Sequence, residues 1–262
     1  MTMVISAGAA NPEKPTILID NILTIGDAVT SSETSDGAGD NALSDGTFDY
    51  WTADAATATM SIDMIEPVYC DGVGIAAHTL ATDSATLDVQ SSDDNADWTT
   101  RLTVTPTSDD TIFGIFPLVL ARYWRIRITN GPASIGVIKL GRRIIVPTGV
   151  ILGHVGIDHA RRVELLSNDS VNGQFLGTRI IRQSADVTID FGLVPRSFLE
   201  GDFSNFEKGF NDGRTFFYAG SPVNLPNDVG YCKRSTNAQE IRPPYEGGDL
   251  MQLDFEAQVY VG

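Results

Sequence analysis

The sequence has few of the residues that carry reactive or cross-linking chemistry, with two cysteines and three histidines among 262 residues. Cys70 and Cys232 lie far apart and form no C-x-x-C motif, so we expect two buried free thiols. His154 and His159 have no third ligand at zinc-like spacing. G-x-S-x-G, H-E-x-x-H and P-loop motifs are absent, and we predict no catalytic residue.

Long apolar runs and basic charge are also scarce. No run approaches the ~20 residues of a membrane-spanning helix, so we predict no membrane insertion. The first residues lack a basic region followed by an apolar stretch, which predicts no secretion signal and synthesis in the cytoplasm. The chain carries 34 acidic and 18 basic residues, net −16, and residues 1–140 alone carry 19 and 6, net −13. Such a surface repels nucleic acid, so we predict no nucleic-acid partner.

Short alternating runs dominate the chain and predict β-strands. Clusters of Gly, Pro, Asn, Asp and Ser separate them, which is typical of a sandwich or barrel. We therefore predict a mostly-β protein, with an N-terminal jelly-roll β-sandwich followed by a β-barrel or β-sandwich domain with one amphipathic helix. The runs are Thr59–Met64, Ala85–Gln90, Arg101–Val104, Tyr123–Ile128 and Ile135–Leu140 in the first half, and Met251–Val261 at the end.

The predicted helix lies near residues 198–212. Phe203, Phe206 and Phe210 follow at spacings of three and four, which places them on one helical face. Gly213 stands where a helix commonly ends.

The composition of the chain changes near residues 141–148, where basic residues reappear. We predict three parts: an N-terminal arm over 1–15, the sandwich over 16–143, and a second β domain over 144–262.

Four segments of the first half occur in an order and spacing that resemble discoidin-like domains, the coagulation factor 5/8 C-type, galactose-binding-like family. They are Val29–Ser32, the Asp-Gly turn in Asn41–Thr47, Ser61–Met64 and Arg122–Ile128. In that family a Thr precedes the Trp of the turn, whereas Tyr50 precedes it here. The resemblance covers about 110 residues and implies a jelly-roll sandwich of a carbohydrate-binding kind.

Trp98 is the predicted glycan-stacking residue. It follows a polar loop that includes Asp94 and Asn95, where burial is not obviously available. An aromatic ring packs on the apolar face of a pyranose while nearby polar groups bind its hydroxyls. Packing inside the protein is the alternative for Trp98, and core packing is the expectation for Trp51 and Trp124.

The Asp-Gly turn carries a calcium hypothesis. Calcium prefers six to eight oxygen ligands, and the related carbohydrate-binding domains often hold a structural calcium near this turn. Asp40, Asp45 and Thr47 are the predicted ligands, and simple turn formation is the alternative. No other cofactor is predicted.

In the second half, the phenylalanine-rich helix, the aromatic strand Thr215–Tyr218, a Pro-containing loop and the strand Val229–Cys232 resemble the core of phage distal tail and baseplate proteins. The resemblance implies a ring-forming homo-oligomer in the virion, bound to other tail proteins and assembled in the host cytoplasm. We predict that Arg142, Arg143, Arg161 and Arg162 contact carboxylates of neighbouring subunits, with a solvated charged face as the alternative.

The two halves together predict a structural virion protein of a phage tail tip, with an accessory sandwich that contacts host-surface glycans. A bacterial carbohydrate-binding module or adhesin is the first alternative. A glycan-active enzyme is the second, because a pair of catalytic carboxylates meets only in the fold.

Overall fold

The computed structural model describes residues 2–24, 28–31, 33–34, 37–151, 154–236 and 238–261. Ser32, the last residue of the Val29–Ser32 motif, lies outside them. The described chain is mostly β, as predicted, with sixteen strands and two short α-helices. No described helix is long and apolar enough to span a membrane. The strands are β1 Thr2–Ile5, β2 Thr16–Leu18, β3 Ala28–Ser31, β4 Trp51–Thr52, β5 Ala58–His78, β6 Thr86–Ser92, β7 Thr99–Val104, β8 Ile112–Thr129, β9 Ser134–Gly141, β10 Ile144–Ile145, β11 Arg161–Asp169, β12 Phe175–Pro195, β13 Phe216–Ala219, β14 Val229–Arg234, β15 Tyr245–Gly247 and β16 Leu250–Val259; the helices are α1 Arg196–Glu200 and α2 Ser204–Asn211.

Two long strands, β5 and β8, pass through both layers of the N-terminal sandwich. Their pairing is interrupted between Asp63 and Val68, so the first part of β5 pairs with the end of β8 and the rest of β5 with its beginning. Such bulges bend a strand and let it change layers. The outer layer has the order β7-β6-β8-β5-β3 and the inner layer the order β4-β9-β5-β8-β1. All pairs are antiparallel except β1 with β8.

The sandwich core lies between these layers. Trp51 and Trp124 are fully buried there, which confirms their predicted packing. The Phe116 ring lies 6.2 Å from that of Trp124. Burial alternates along β8, where Trp124, Ile126 and Ile128 face the core. The period-two pattern of this part of β8 therefore turns one face of the strand to the core and leaves the other partly accessible to solvent.

A second sheet has the order β10-β2-β13-β14-β16-β12-β11, with β15 on the edge of β16. Phe203, Phe206 and Phe210 are buried against it, as their spacing predicts. The single predicted helix over 198–212 is wrong in one respect, because the chain forms two short helices. At Gly201 the backbone leaves the helical region, with φ −101° and ψ −106°, and glycine tolerates that departure better than other residues.

A third hydrophobic cluster joins the two sheets. It contains Phe113 and Val137 from the inner layer and Phe217 and Tyr231 from the second sheet. A Cβ built on Gly74 would lie 2.3 Å from the Phe217 ring, so only glycine allows this close approach. The inner layer is therefore covered on both faces, by the outer layer on one side and by the second sheet on the other.

The predicted division at 143/144 coincides with the passage from β9 to β10. However, β2 pairs with β13 and β10, so residues 16–18 belong to the second sheet. Within the predicted arm over 1–15, β1 pairs with β8 of the inner layer. With those two differences the three-part division stays a prediction. Cys70 and Cys232 are free and buried, as expected.

Candidate functional site

The outer layer presents a polar face to solvent, which we call the Trp98 face. Alternation places Arg125 and Arg127 of β8 on it, since Trp124, Ile126 and Ile128 point inward. Register places two polar residues of β6 directly beside them: Gln90 opposite Arg125 and Asp88 opposite Arg127. On the other side, Ser61 and Thr59 of β5 occupy the matching positions. Trp98 lies at the edge of this face.

Trp98 is half-buried and held by an arginine. The guanidinium carbon of Arg125 lies 4.1 Å from the centroid of the indole, a cation–π contact. Gln90 in turn fixes Arg125, because its Oε1 accepts hydrogen bonds from Nε at 2.9 Å and Nη2 at 2.5 Å. The Gln90 amide nitrogen donates to Thr100 Oγ1 at 2.9 Å, which ties the group to β7. The indole is therefore positioned rigidly while part of it stays exposed.

The loop before Trp98 is shaped by Asp94. Its Oδ1 accepts hydrogen bonds from the backbone nitrogens of Ala96 and Asp97, and from Ser92 Oγ, each at 2.9 Å. These bonds, those from Ala96 and Asp97 first, lower the pKa of Asp94 below its ordinary value. Asn95 is exposed at the turn with φ +61°, a left-handed conformation that Asn tolerates. Of the predicted glycan contacts, Asp94 thus builds the loop and Asn95 forms its tip.

Arg125 and Arg127 were missed by reasoning from the sequence. Their alternation with buried isoleucines was visible, but their proximity to Trp98 depends on the register of three strands. Desolvation lowers the pKa of Arg125, and the charge of Arg127 lowers it further.

The predicted calcium ligands serve other contacts. Asp45 Oδ1 lies 2.8 Å from Nζ of Lys139, whose side chain is 4% exposed. Partial burial works to raise the pKa of Asp45, but the Lys139 ammonium brings it below the ordinary value. Thr47 O accepts a hydrogen bond from Tyr50 Oη at 3.3 Å, and Asp40 is exposed. Among the described residues, no group of three His, Cys, Asp or Glu is placed to hold a metal. The calcium site stays a prediction.

The four arginines predicted for assembly have different environments. Arg143 is 4% exposed, and its Nη2 lies 3.1 Å from Asp71 Oδ2 within the same chain. The prediction for Arg143 is therefore wrong, because a buried guanidinium paired inside its own subunit is not available to a neighbour. Arg161 Nη2 lies 3.8 Å from Asp110. Arg142 and Arg162 are exposed, and their role stays a prediction.

A buried His–Asp pair also escaped the sequence analysis. His154 Nε2 lies 2.8 Å from Asp228 Oδ2, and Asp228 Oδ1 accepts a hydrogen bond from the backbone nitrogen of Ile157 at 2.9 Å. Both side chains are at most 5% exposed. The pair joins the segment before β11 to the segment before β14, which is a structural role. A separation of 74 residues left no local signal for it.

Fold and site together define the class of protein: a β-sandwich that is packed on a second sheet and presents a partly exposed face of one tryptophan and two arginines. A family model described as the N-terminal domain of the uncharacterised protein YqxG matches residues 44–144. No curated protein matches the chain in sequence.

Solved structures resemble the N-terminal half. Chitosan-binding module 1 of a chitosanase/glucanase from Paenibacillus sp. IK-5 is 19% identical with a TM-score of 0.40, over 47% of this chain and 98% of that one. The Clostridium perfringens module CpGH89CBM32-5, in complex with GalNAc-β-1,3-galactose, is 12% identical with a TM-score of 0.41, over 46% and 97%. The C-terminal domain of a chitobiase from Bacteroides fragilis is 15% identical with a TM-score of 0.39, over 47% and 96%.

Proposed function

We propose that the N-terminal sandwich binds a carbohydrate at the Trp98 face. The observation that carries the proposal is the partly exposed indole of Trp98, fixed from one side by Arg125 at 4.1 Å. Trp51 and Trp124, by contrast, are fully buried. An immobilised aromatic ring loses little entropy when a sugar packs against it, so its apolar area contributes directly to affinity.

The surrounding side chains supply the polar half of such a site. Thr59 and Ser61 place hydroxyl groups on the same face, and Arg127 places its guanidinium next to Arg125. Hydroxyl and guanidinium groups bind sugar hydroxyls and fix the orientation of the ring. Asn95, at the loop tip, remains a predicted contact at the rim.

Replacing Trp98 tests the proposal. We expect Trp98→Ala to weaken binding to a recognised polysaccharide by about 10-fold, equivalent to ~1.4 kcal/mol, with Trp98→Phe retaining part of the affinity. Glycan-array screening followed by titration calorimetry measures the affinity, and thermal unfolding shows that the variant is folded. Phe48→Ala, at a side chain 78% exposed elsewhere, is the control. Unchanged affinity in Trp98→Ala, or loss of folding, would contradict the proposal.

A second candidate function is self-assembly through the hairpin of β11 and β12. All nine residues of β11 are exposed, and among the described strands β12 alone pairs with β11. Leu165 and Ile180 face each other across the hairpin and are 56% and 51% exposed, while Leu166, on the opposite face, is 54% exposed. A two-stranded hairpin with apolar residues on both faces is marginal in water. It therefore requires a partner.

The distribution of charge supports a second copy of the chain as that partner. Residues 161–182 carry four arginines and two acidic residues, net +2, whereas residues 28–140 carry 16 acidic and 5 basic residues, net −11. The hairpin of one copy is thus complementary to the sandwich of the next. A ring in a phage tail tip, bound to other tail proteins in a virion, is the setting we propose for this assembly.

The assembly is tested by mass measurement in solution. We expect light scattering after size-exclusion chromatography to show an oligomer, and Leu165→Ser with Ile180→Ser to convert it to a monomer. Val223→Ser, at an apolar residue 51% exposed in the loop before β14, outside both the hairpin and the sandwich, should leave the oligomer intact. A monomeric wild-type chain at micromolar concentration would rule out this function and leave the carbohydrate proposal standing.

A further inference from the structure

The Trp98 face carries positive charge that the chain does not neutralise. Six arginines of the described chain form ion pairs with carboxylates, among them Arg122, which contacts Asp63 through Nε at 2.7 Å and Nη2 at 2.8 Å. Arg125 and Arg127 do not: no ion pair within 4.0 Å joins either of them to a described carboxylate. The acceptor that Arg125 uses is the neutral amide oxygen of Gln90.

Acidic residues were available to neutralise these arginines. Asp88 lies opposite Arg127 in the register, yet its Oδ1 accepts a hydrogen bond from Thr103 Oγ1 at 2.6 Å. The sandwich carries a net charge of −11 over residues 28–140, so unpaired arginines are unexpected on it. Two adjacent guanidinium groups repel each other, and the partial burial of Arg125 adds a desolvation cost. An anion bound between the two guanidinium groups would reduce their repulsion and offset the desolvation cost of Arg125.

We infer that the ligand of the Trp98 face is an acidic saccharide, one that carries a carboxylate, sulfate or phosphate on its sugar ring. This inference rests on the proposed function of the face. The indole of Trp98 supplies the apolar contact with the ring. Arg127, and Nη1 of Arg125, the guanidinium nitrogen that does not donate to Gln90, supply charge-assisted hydrogen bonds to the anionic group.

The same residue types also bind single-stranded nucleic acid, through stacking on aromatic rings and contacts to phosphates. The surroundings favour a saccharide. A nucleic acid strand needs a positive groove that continues along its backbone, whereas here two arginines are surrounded by a sandwich of net charge −11. A localised positive site in a negative surface fits a ligand with its charge confined to one group.

Matched pairs of polymers test the inference on the intact chain. Polygalacturonate is compared with its methyl ester, and dextran sulfate with dextran, so that each pair differs only in the anionic group. Colominic acid and hyaluronate are tested as two further polysaccharides that carry carboxylate groups. We expect at least a 10-fold preference for one acidic member over its neutral counterpart or over neutral glycans, decreasing as salt is raised. Arg127→Gln should reduce that preference to less than 3-fold, while Arg122→Gln leaves it unchanged.

The outcomes separate the two proposals. Binding to neutral glycans that depends on Trp98 but not on Arg127 overturns the acidic ligand and leaves the carbohydrate function intact. Binding to no glycan, acidic or neutral, overturns both. Tighter binding of a single-stranded oligonucleotide than of every saccharide also overturns the inference. If Arg127→Gln fails to fold, Arg127→Lys, which keeps the charge but loses the planar donors, should weaken acidic binding less than Trp98→Ala does.

Discussion

Phe217→Ala tests whether the sandwich and the second sheet form one cooperative unit. Phe217 is fully buried, although it lies on β13 outside the sandwich. Its ring lies 6.2 Å from that of Phe113 in the inner layer and 4.8 Å from that of Tyr231 on β14. The backbone at Gly74 has no side chain to collapse into the space that the mutation leaves. The cavity therefore persists.

The expected loss follows from this packing. Phe→Ala at a buried site costs about 3–5 kcal/mol, and the upper part of the range applies where the surroundings cannot relax. A protein of this size shifts its Tm by roughly 2–4 °C per kcal/mol, so the Tm should fall by about 6–20 °C. This is a large part of a stability of ~5–15 kcal/mol.

The tryptophans make the assay specific. All three lie in the sandwich, at positions 51, 98 and 124, so their fluorescence during urea unfolding reports on the sandwich alone. Far-UV circular dichroism reports on both sheets. If the two are coupled, Phe217→Ala shifts both transitions equally, and Phe48→Ala shifts neither by more than about 0.5 kcal/mol. An unchanged fluorescence transition in Phe217→Ala would refute the shared cluster.

Two further predictions concern the second core and an exposed ion pair. Phe206→Ala should cost about 3–5 kcal/mol in urea unfolding, because its ring lies 5.0 Å from those of both Phe203 and Phe216; a cost under about 1 kcal/mol would remove Phe206 from the core. The hydrogen bond from Arg122 lowers the pKa of Asp63 to about 2, so the stability from this pair is present above the ordinary value of 3.8 and is lost as the pH falls towards 2. Arg122→Gln should flatten that pH dependence and raise the pKa of Asp63 from about 2 towards 3.8 in a carboxyl NMR titration; a pKa that stays near 2 would show that Arg122 is not its cause.

The strands and their core faces were predictable because alternation is a local signal. Trp124 and Ile126 could be placed inward from the pattern of β8 alone, and Phe206 and Phe210 from their helical spacing. The break at Gly201 was less visible, because glycine is also tolerated inside helices at modest cost. Local sequence patterns therefore predict which face of a strand or helix is buried better than they predict where the element begins and ends.

Contacts between distant segments were not predictable. Arg143 stands beside Arg142 in the sequence, and nothing local indicates that one is exposed while the other pairs with Asp71, 72 residues away. The placement of β2 in the second sheet depends on its pairing with β13, about 200 residues later. Arg125 and Arg127 became candidates only when the register placed them opposite Gln90 and Asp88 and the structure showed no ion pair between either arginine and a described carboxylate.

The Trp98 face and the hairpin of β11 and β12 belong to different sheets. The described buried residues of the outer layer pack into the sandwich core, and the cluster that joins the sheets draws its sandwich residues from the inner layer. The Trp98 face therefore points away from the second sheet. If the hairpin of one copy docks on a part of the next sandwich outside the Trp98 face, each copy stays free to hold a sugar, and a polysaccharide bound by several copies gains affinity through effective concentration. The monomeric Leu165→Ser, Ile180→Ser variant should then bind a short oligosaccharide as tightly as wild type does but a long polysaccharide at least 10-fold more weakly. If the wild type and the monomeric variant bind the long polysaccharide equally tightly, assembly does not contribute to glycan binding.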